Sequence, residues 1–385
     1  MTGYYRMCLK SWCLFFLLLF LIYGKECLAQ GRVIEDTTPV VQKSFRLNAL
    51  IVGRYSASLN ENIDVTGKHF YSQEEGIVSN SFEMQYVRLS TTFGITDRIT
   101  SSILLNLADF KHPNVSEKVL ENAFINYSYN PYLNLRFGQF RPFFGLEDLH
   151  PFQLNNSYAW SNQYSLFGRN GWQSFQLGAA FFGSLAPVEV PLYYYFTVYN
   201  GNNKNQLMDS DSSKNYTLRI EYYPFSVLKL GINGGTANYN KQRGYAFGLD
   251  AQLRYSVSNR LDFDMNVEYK KGTNFLAYRS SLEEHPDLNM YKMEGIYSLY
   301  QLRYYINKPR IRALELSFRH EYLNSDTTIP NNDLNSYVPV ISMVFANMYD
   351  VKLSLVGVIN NYQDNIPNSA QYDHSRVLMQ LQVAY

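Results

Sequence analysis

Arginines recur at alternate positions in this chain, and that spacing is the feature most able to do chemistry. Arg54, Arg136, Arg219, Arg254, Arg303 and Arg319 fall on the polar side of alternating segments, and Arg141 and Arg169 flank an irregular stretch between two of them. A guanidinium stays charged at physiological pH and presents its donors in a fixed fork. A row of them on one face can replace the water that an anion sheds without holding it tightly, which is the chemistry of ion passage. The same faces carry Glu221, Asp250, Asp262, Asp264, Glu268, Glu315 and Glu321. Arg219–Glu221 and Arg319–Glu321 are two residues apart, so each pair shares a face and can neutralise itself. For any one arginine, an ion pair that stiffens a wall is therefore the more general expectation, and a place in an anion path is the sharper one.

Covalent chemistry has less support. His69, His112, His150, His285, His320 and His374 are scattered, without metal-ligand spacing, and no Gly-x-Ser-x-Gly elbow is present. An enzyme such as a membrane lipase would need a nucleophile and a histidine brought together, and no motif announces one. Cys8, Cys13 and Cys27 are the only cysteines. No cofactor is implied.

All three cysteines lie in a segment with an address of its own. Arg6 and Lys10 precede the apolar run Leu14 to Tyr23, and "GKECLAQG" follows, with Cys27 and Ala29 at the −3 and −1 positions of a cleavage site. The run is short for a membrane helix, and the whole reads as an export signal over residues 1–29. A lipoprotein signal fits poorly, because Lys25 and Glu26 stand where small or apolar residues are needed. With that segment go three of the 34 basic and one of the 33 acidic residues, leaving 31 against 32. That balance offers nothing to nucleic acid. Residues 30–45 read as a short polar lead-in.

The elements that must hold the arginines are strands. From residue 46 to 385 the period is two almost throughout. Tyr245, Phe247, Leu249, Ala251, Leu253 and Tyr255 oppose Gly248, Asp250, Gln252 and Arg254; Leu261, Phe263, Met265, Val267 and Tyr269 oppose Asp262, Asp264, Asn266 and Glu268. The final segment sets Val377, Met379, Leu381, Val383 and Tyr385 against Gln380 and Gln382. Strands of about 10 residues with a greasy face, a charged face and tyrosines at their tips suit a transmembrane barrel better than a soluble sandwich. The 34 Tyr and 25 Phe would then supply the interfacial girdles. Short connections at 130–134, 222–227 and 256–261 alternate with long polar ones at 60–80, 201–214, 273–293 and 324–336. The expected fold is all-β, one antiparallel barrel of about 16 strands, give or take two. The alternating last strand, ending in Tyr385, must close it, and looks like the signal that barrel assembly machinery reads.

One segment is more specific. "LENAFINYSYNPYLNLRFGQFRPFFGLED" (120–148) resembles a hairpin of the phosphate-selective porin O and P family, in which a strand leads into a Gly-Gln-Phe-(Lys/Arg)-Pro-Phe-Gly-Leu-Glu segment. "GRNGWQSFQLGAAFFG" (168–183) is similar to a strand of that family, "FTVYNGNNKN" (196–205) to the start of one of its loops, and "YTLRIEYYPF" (216–225) to a strand ending in Pro-Phe. "LDFDMNVEYKKG" (261–272) and "LELSFRHEYLNSD" (314–326) resemble later strands. Asn122 and Arg141 stand where Asp and Lys are usual. The resemblance implies a bacterial outer-membrane porin in which 143–168 folds inward as a constriction loop, with small polar or anionic solutes passing and outer-membrane lipids outside. Many porins of this size are homotrimers. Preference for phosphate follows from the family's name alone. A non-conducting barrel acting as an adhesion or assembly platform is the alternative from a different class.

Overall fold

In the computed structural model, residues 43–385 are described, apart from 72–76, 110–118, 153–156, 207, 210–211, 240–241, 285, 307 and 347–350. The expected export signal and nearly all of the lead-in lie outside the described residues.

Sixteen strands follow the chain: β1 (Ser44–Ser58), β2 (Asn80–Gly94), β3 (Ile99–Asn106), β4 (Leu120–Asn130), β5 (Leu133–Phe140), β6 (Gln176–Ser184), β7 (Leu192–Tyr199) and β8 (Asn215–Phe225) form the first half. β9 (Leu228–Tyr239), β10 (Gln242–Ser258), β11 (Leu261–Thr273), β12 (Lys292–Tyr305), β13 (Ala313–Asn324), β14 (Asp333–Val344), β15 (Val351–Tyr362) and β16 (His374–Ala384) form the second. Each pairs antiparallel with its neighbour in sequence, and β1 pairs with β16 from Leu50↔Ala384 to Ser58↔Arg376, so no edge is left open. Closure satisfies every ladder within the sheet, as a lipid-facing wall requires.

The alternation sets the two faces. Leu47, Ile51, Ile103, Phe137, Leu249 and Leu381 are exposed on the outside, whereas Arg219, Glu268, Lys270, Ser317 and Gln380 are buried within. Short links (95–98, 131–132, 226–227, 259–260) lie at the end where β16 stops, and 59–79, 141–175 and 274–291 lie at the other. The link 240–241 is the exception on the long-loop side. The segment 324–336 is less of a loop than its polarity promises, because β14 already begins at Asp333.

The segment between β5 and β6 turns inward. It is longer than expected, 141–175 rather than 143–168, and the stretch from 168 that resembles a strand joins the ladder only at Gln176. Three turns of chain explain the delay. Helix α1 (Leu146–Leu149) is followed by α2 (Asn162–Arg169), whose start is capped by the Ser161 hydroxyl accepting from the Tyr164 N–H. The chain then reverses at Gly171 (φ 79°) and buries Trp172 completely. Trp172, Phe144 and Phe167 pack against Ala237 and Ala246 of the wall and against Phe275 of a third helix, α3 (Phe275–Ser280), which descends from the β11–β12 loop. Across the barrel, Phe152 packs on Leu50, Val52 and Tyr86, and Tyr158 on Val338, Val340, Val356, Val358 and Leu378. The inner face is thus not polar throughout: over β14–β16 and β1 it carries an apolar stripe that this segment covers.

Candidate functional site: the lumen and its inward loop

Buried acids of the wall hold the loop. Glu268 on β11 accepts from the Leu146 N–H at 2.7 Å, and Asn233 on β9 accepts from the Gly145 N–H at 3.0 Å. Gly145 has φ 104°, and a Cβ there would collide with the Glu268 carboxylate and the Lys270 ammonium, so glycine is what lets the backbone reach them. Lys270 bonds Glu268 at 2.9 Å and donates to Gln173 at 2.9 Å; Gln173 in turn donates to Asp148 at 3.0 Å. Glu321 accepts from the Asn162 N–H at 2.6 Å, at the start of α2, where an anion is favoured. Within the loop, Glu147 accepts from both the Ser161 N–H and its hydroxyl. Burial pushes the Glu147 carboxyl up, and pushes Asp148 up to about 7 against the opposing pull of Arg141. Burial, with Lys229, Arg254 and Arg141 nearby, pushes His150 down to about 3, so this ring is neutral.

The arginines divide into two sets. Arg219 is fully buried, 2.8 Å from Glu221 and 2.6 Å from Asp250. Arg303 bonds Glu315 at 2.8 Å and lies 3.8 Å from Asp264. Arg319 bonds Glu321 at 2.7 Å and donates to the Ala159 carbonyl of the loop. The same-face pairs expected from spacing, Arg219–Glu221 and Arg319–Glu321, both form, and these three residues serve as wall and tether. Arg136 donates to Asn126 at 2.8 Å and sits among Phe124, Phe140, Phe143 and Phe182, with ring centroids 4.1–5.5 Å away. Arg254 is exposed near the short-link end. Arg54 lies over the Tyr158 ring.

Arg141 and Arg169 open onto one space. Both line a cavity of about 1000 Å³ between the inner faces of β1–β4 and the loop. Its lining runs from Ala384 and Tyr385 at the short-link end to Leu276 and Lys204 among the long loops. Arg141 donates to the carbonyls of Glu147 (3.0 Å) and His150 (2.7 Å), which fixes its head beside the rings of Trp160 and Phe175. Arg169, the last residue of α2, is exposed. Neither forms an ion pair among the described residues.

Two basic residues of this cavity escaped the sequence reading. Arg88 stacks on Tyr86 at 3.9 Å and bonds Glu121 at 2.7 Å; Lys204 lies 3.4 Å from Asp109. Parity could have found Arg88, since Tyr86, Arg88 and Ser90 share a face of β2 opposite Leu89. Lys204 stands in a loop without period, and no local signal points to it. Among the lining side chains, Arg88, Arg141, Arg169 and Lys204 face only Asp109 and Glu121, an excess of positive charge.

No protein-family model and no curated protein matches this sequence. The resemblance to the O and P porins therefore rests on the quoted segments. Solved structures do match in fold. Salmonella typhi OmpF, in complex with daunomycin, aligns over 89% of this chain and 97% of its own, at 11% identity and a TM-score of 0.59. The outer-membrane channel DcaP of Acinetobacter baumannii aligns over 89% and 97%, at 14% identity and 0.55. An anion-selective porin from Comamonas acidovorans aligns over 89% and 100%, at 8% identity and 0.54. The chain has the closed 16-strand fold of outer-membrane porins.

Proposed function

We propose that this chain is an outer-membrane porin of a Gram-negative bacterium, a passive channel for small polar solutes with a preference for anions. The observation that carries the reading is the cavity between β1–β4 and the loop. It is lined from one end of the barrel to the other, and its basic side chains outnumber its acids. Solutes pass along that side, with Arg141 and Arg169, neither in a contact ion pair among the described residues, as the charges at the narrowing. The anion-selective porin among the fold neighbours is consistent with this sign. The apolar exterior faces lipid, the export signal brings the chain to the periplasm, and the assembly machinery reads β16. A homotrimer suits the low arc of the wall. There β3, β5 and β7 have eight residues each, fewer than the roughly 9–11 of a lipid-spanning strand, and a second copy would cover what lipid does not match.

The test is single-channel conductance of the refolded chain without residues 1–29, with reversal potentials in a KCl gradient. Open steps with chloride favoured over potassium support the reading, and cation preference overturns the sign. The buried inner face over β8–β16 favours a second reading, the non-conducting platform. Absence of steps from a chain shown to be folded would establish that one, or bring back the enzyme.

A further inference from the structure

The open side of the lumen carries an arrangement that a simple anion filter does not need. Along the loop, Phe152, Trp160 and Tyr164 form a continuous ribbon of rings: Phe152 meets Trp160 edge-on at 5.5 Å, and Trp160 stacks on Tyr164 at 5.0 Å. Phe152 also meets Tyr86 of the wall at 4.5 Å. A guanidinium stands at each side of the ribbon, Arg88 over Tyr86 at 3.9 Å and Arg141 over Trp160 at 5.3 Å. Trp160 is partly exposed, and all of these residues line the same cavity.

The charges argue about valence. Arg88 is occupied by Glu121 and Lys204 by Asp109, so a strongly hydrated dianion would meet two carboxylates beside only two guanidinium groups without a contact ion pair among the described residues. Arg141 already spends donors on two carbonyls and cannot wrap an oxyanion from several sides. What remains is one carboxylate-sized anion site next to a flat apolar surface. Resting on the porin reading above, we propose that this cavity selects monocarboxylates with a planar ring, the carboxylate meeting Arg141 and Arg169 while the ring packs on the partly exposed Trp160, which the buried Phe152 and Tyr164 hold in place. Ring–ring contact and the guanidinium supply affinity that a small aliphatic anion cannot recruit.

The channel is tested in planar bilayers with sodium benzoate, sodium acetate and sodium phosphate as probes. A pore that merely sieves passes acetate faster than the bulkier benzoate. The expected result is the reverse, a benzoate-to-acetate permeability ratio about two- to fivefold above one, with phosphate below both. Trp160→Ala brings the ratio below one, and Trp160→Phe, which keeps a ring, retains most of it. A ratio at or below one in the unaltered chain, or phosphate favoured over benzoate, overturns the proposal while leaving the porin reading intact. So does an unchanged ratio in Trp160→Ala. Absence of any KCl conductance overturns both. A readout free of variants is quenching of tryptophan fluorescence: Trp172 is fully buried, so Trp160 is the accessible reporter once residues 1–29, with Trp12, are removed. 4-Nitrobenzoate should quench it at several-fold lower concentration than uncharged nitrobenzyl alcohol; equal quenching speaks against the anion site.

Discussion

The wall over β8–β13 and the cavity between β1–β4 and the loop both carry arginines, and the two sets have different fates. On the first, Arg219 meets two carboxylates, Arg303 two and Arg319 one, and all three are buried. On the second, the loop holds Arg141 by its own carbonyls and leaves Arg169 exposed, and only Arg88 is matched by an acid of the wall. The difference is set by what stands across the ladder. Register puts Arg303 opposite Glu315, and Arg219 opposite Asn233, with Asp250 one strand further. A guanidinium with carboxylates in reach spends its charge on structure; one without them keeps it for solutes. The loop meets both sides, tethered to the crowded wall by Glu268 and Glu321 and by the packing of Trp172, with Phe152 and Trp160 turned toward the open one.

The sharpest way to break this comparison is to unpair the crowded wall. Arg219→Ala strands Glu221 and Asp250 in a buried site, and a loss of about 3–5 kcal/mol is expected, read as the urea unfolding midpoint in lipid vesicles, with chloride selectivity nearly unchanged. A large change of selectivity at unchanged stability would show that this wall is the conducting one.

Next comes pH. Asp148 in the folded loop binds its proton up to about pH 7, whereas an unfolded aspartate releases it near 4. The folded state therefore holds more protons in between, and stability falls as pH rises from about 4 to about 7, by at most ~4 kcal/mol. Asp148→Asn should flatten that slope in the same unfolding assay; an equal slope in the variant would place the titration elsewhere.

Arg169→Glu reverses one charge on the loop side of the open cavity. At the effective dielectric of a wet lumen this amounts to about 1 kcal/mol, a five- to tenfold fall in the chloride-to-potassium permeability ratio, with stability within about 0.5 kcal/mol of the starting protein. An unmoved ratio would take Arg169 out of the path. The smallest effect is expected from Arg254→Gln at the exposed short-link end: under about 0.5 kcal/mol in stability and less than a twofold change in the same ratio.

The strands were open to reading because lipid outside and water or ion pairs inside impose a period of two. Leu249, Asp250, Ala251 and Gln252 state their faces without any partner in view. The pairs two residues apart were readable for the same reason. The loop was readable only at its start, where Arg141 and Pro142 break the alternation. Its far end was not, because Gly168 to Phe175 resembles part of a family strand, and only the burial of Trp172 between α3 and the wall shows otherwise. The valines of β14 and β15 carried a signal that went unused: strands apolar on both faces in a polar lumen imply that something covers the inner one.

By itself the sequence determined the class of fold, a closed barrel of about this size, and the inward side for Arg219, Arg303 and Arg319, since both depend on local alternation and on the two solvents that a barrel separates. Only the tertiary structure decided which arginines are available. Availability depends on what lies opposite a charge across the ladder and inside the lumen, among residues distant in sequence, and ion pairing at contact distance outweighs any preference written along the strand.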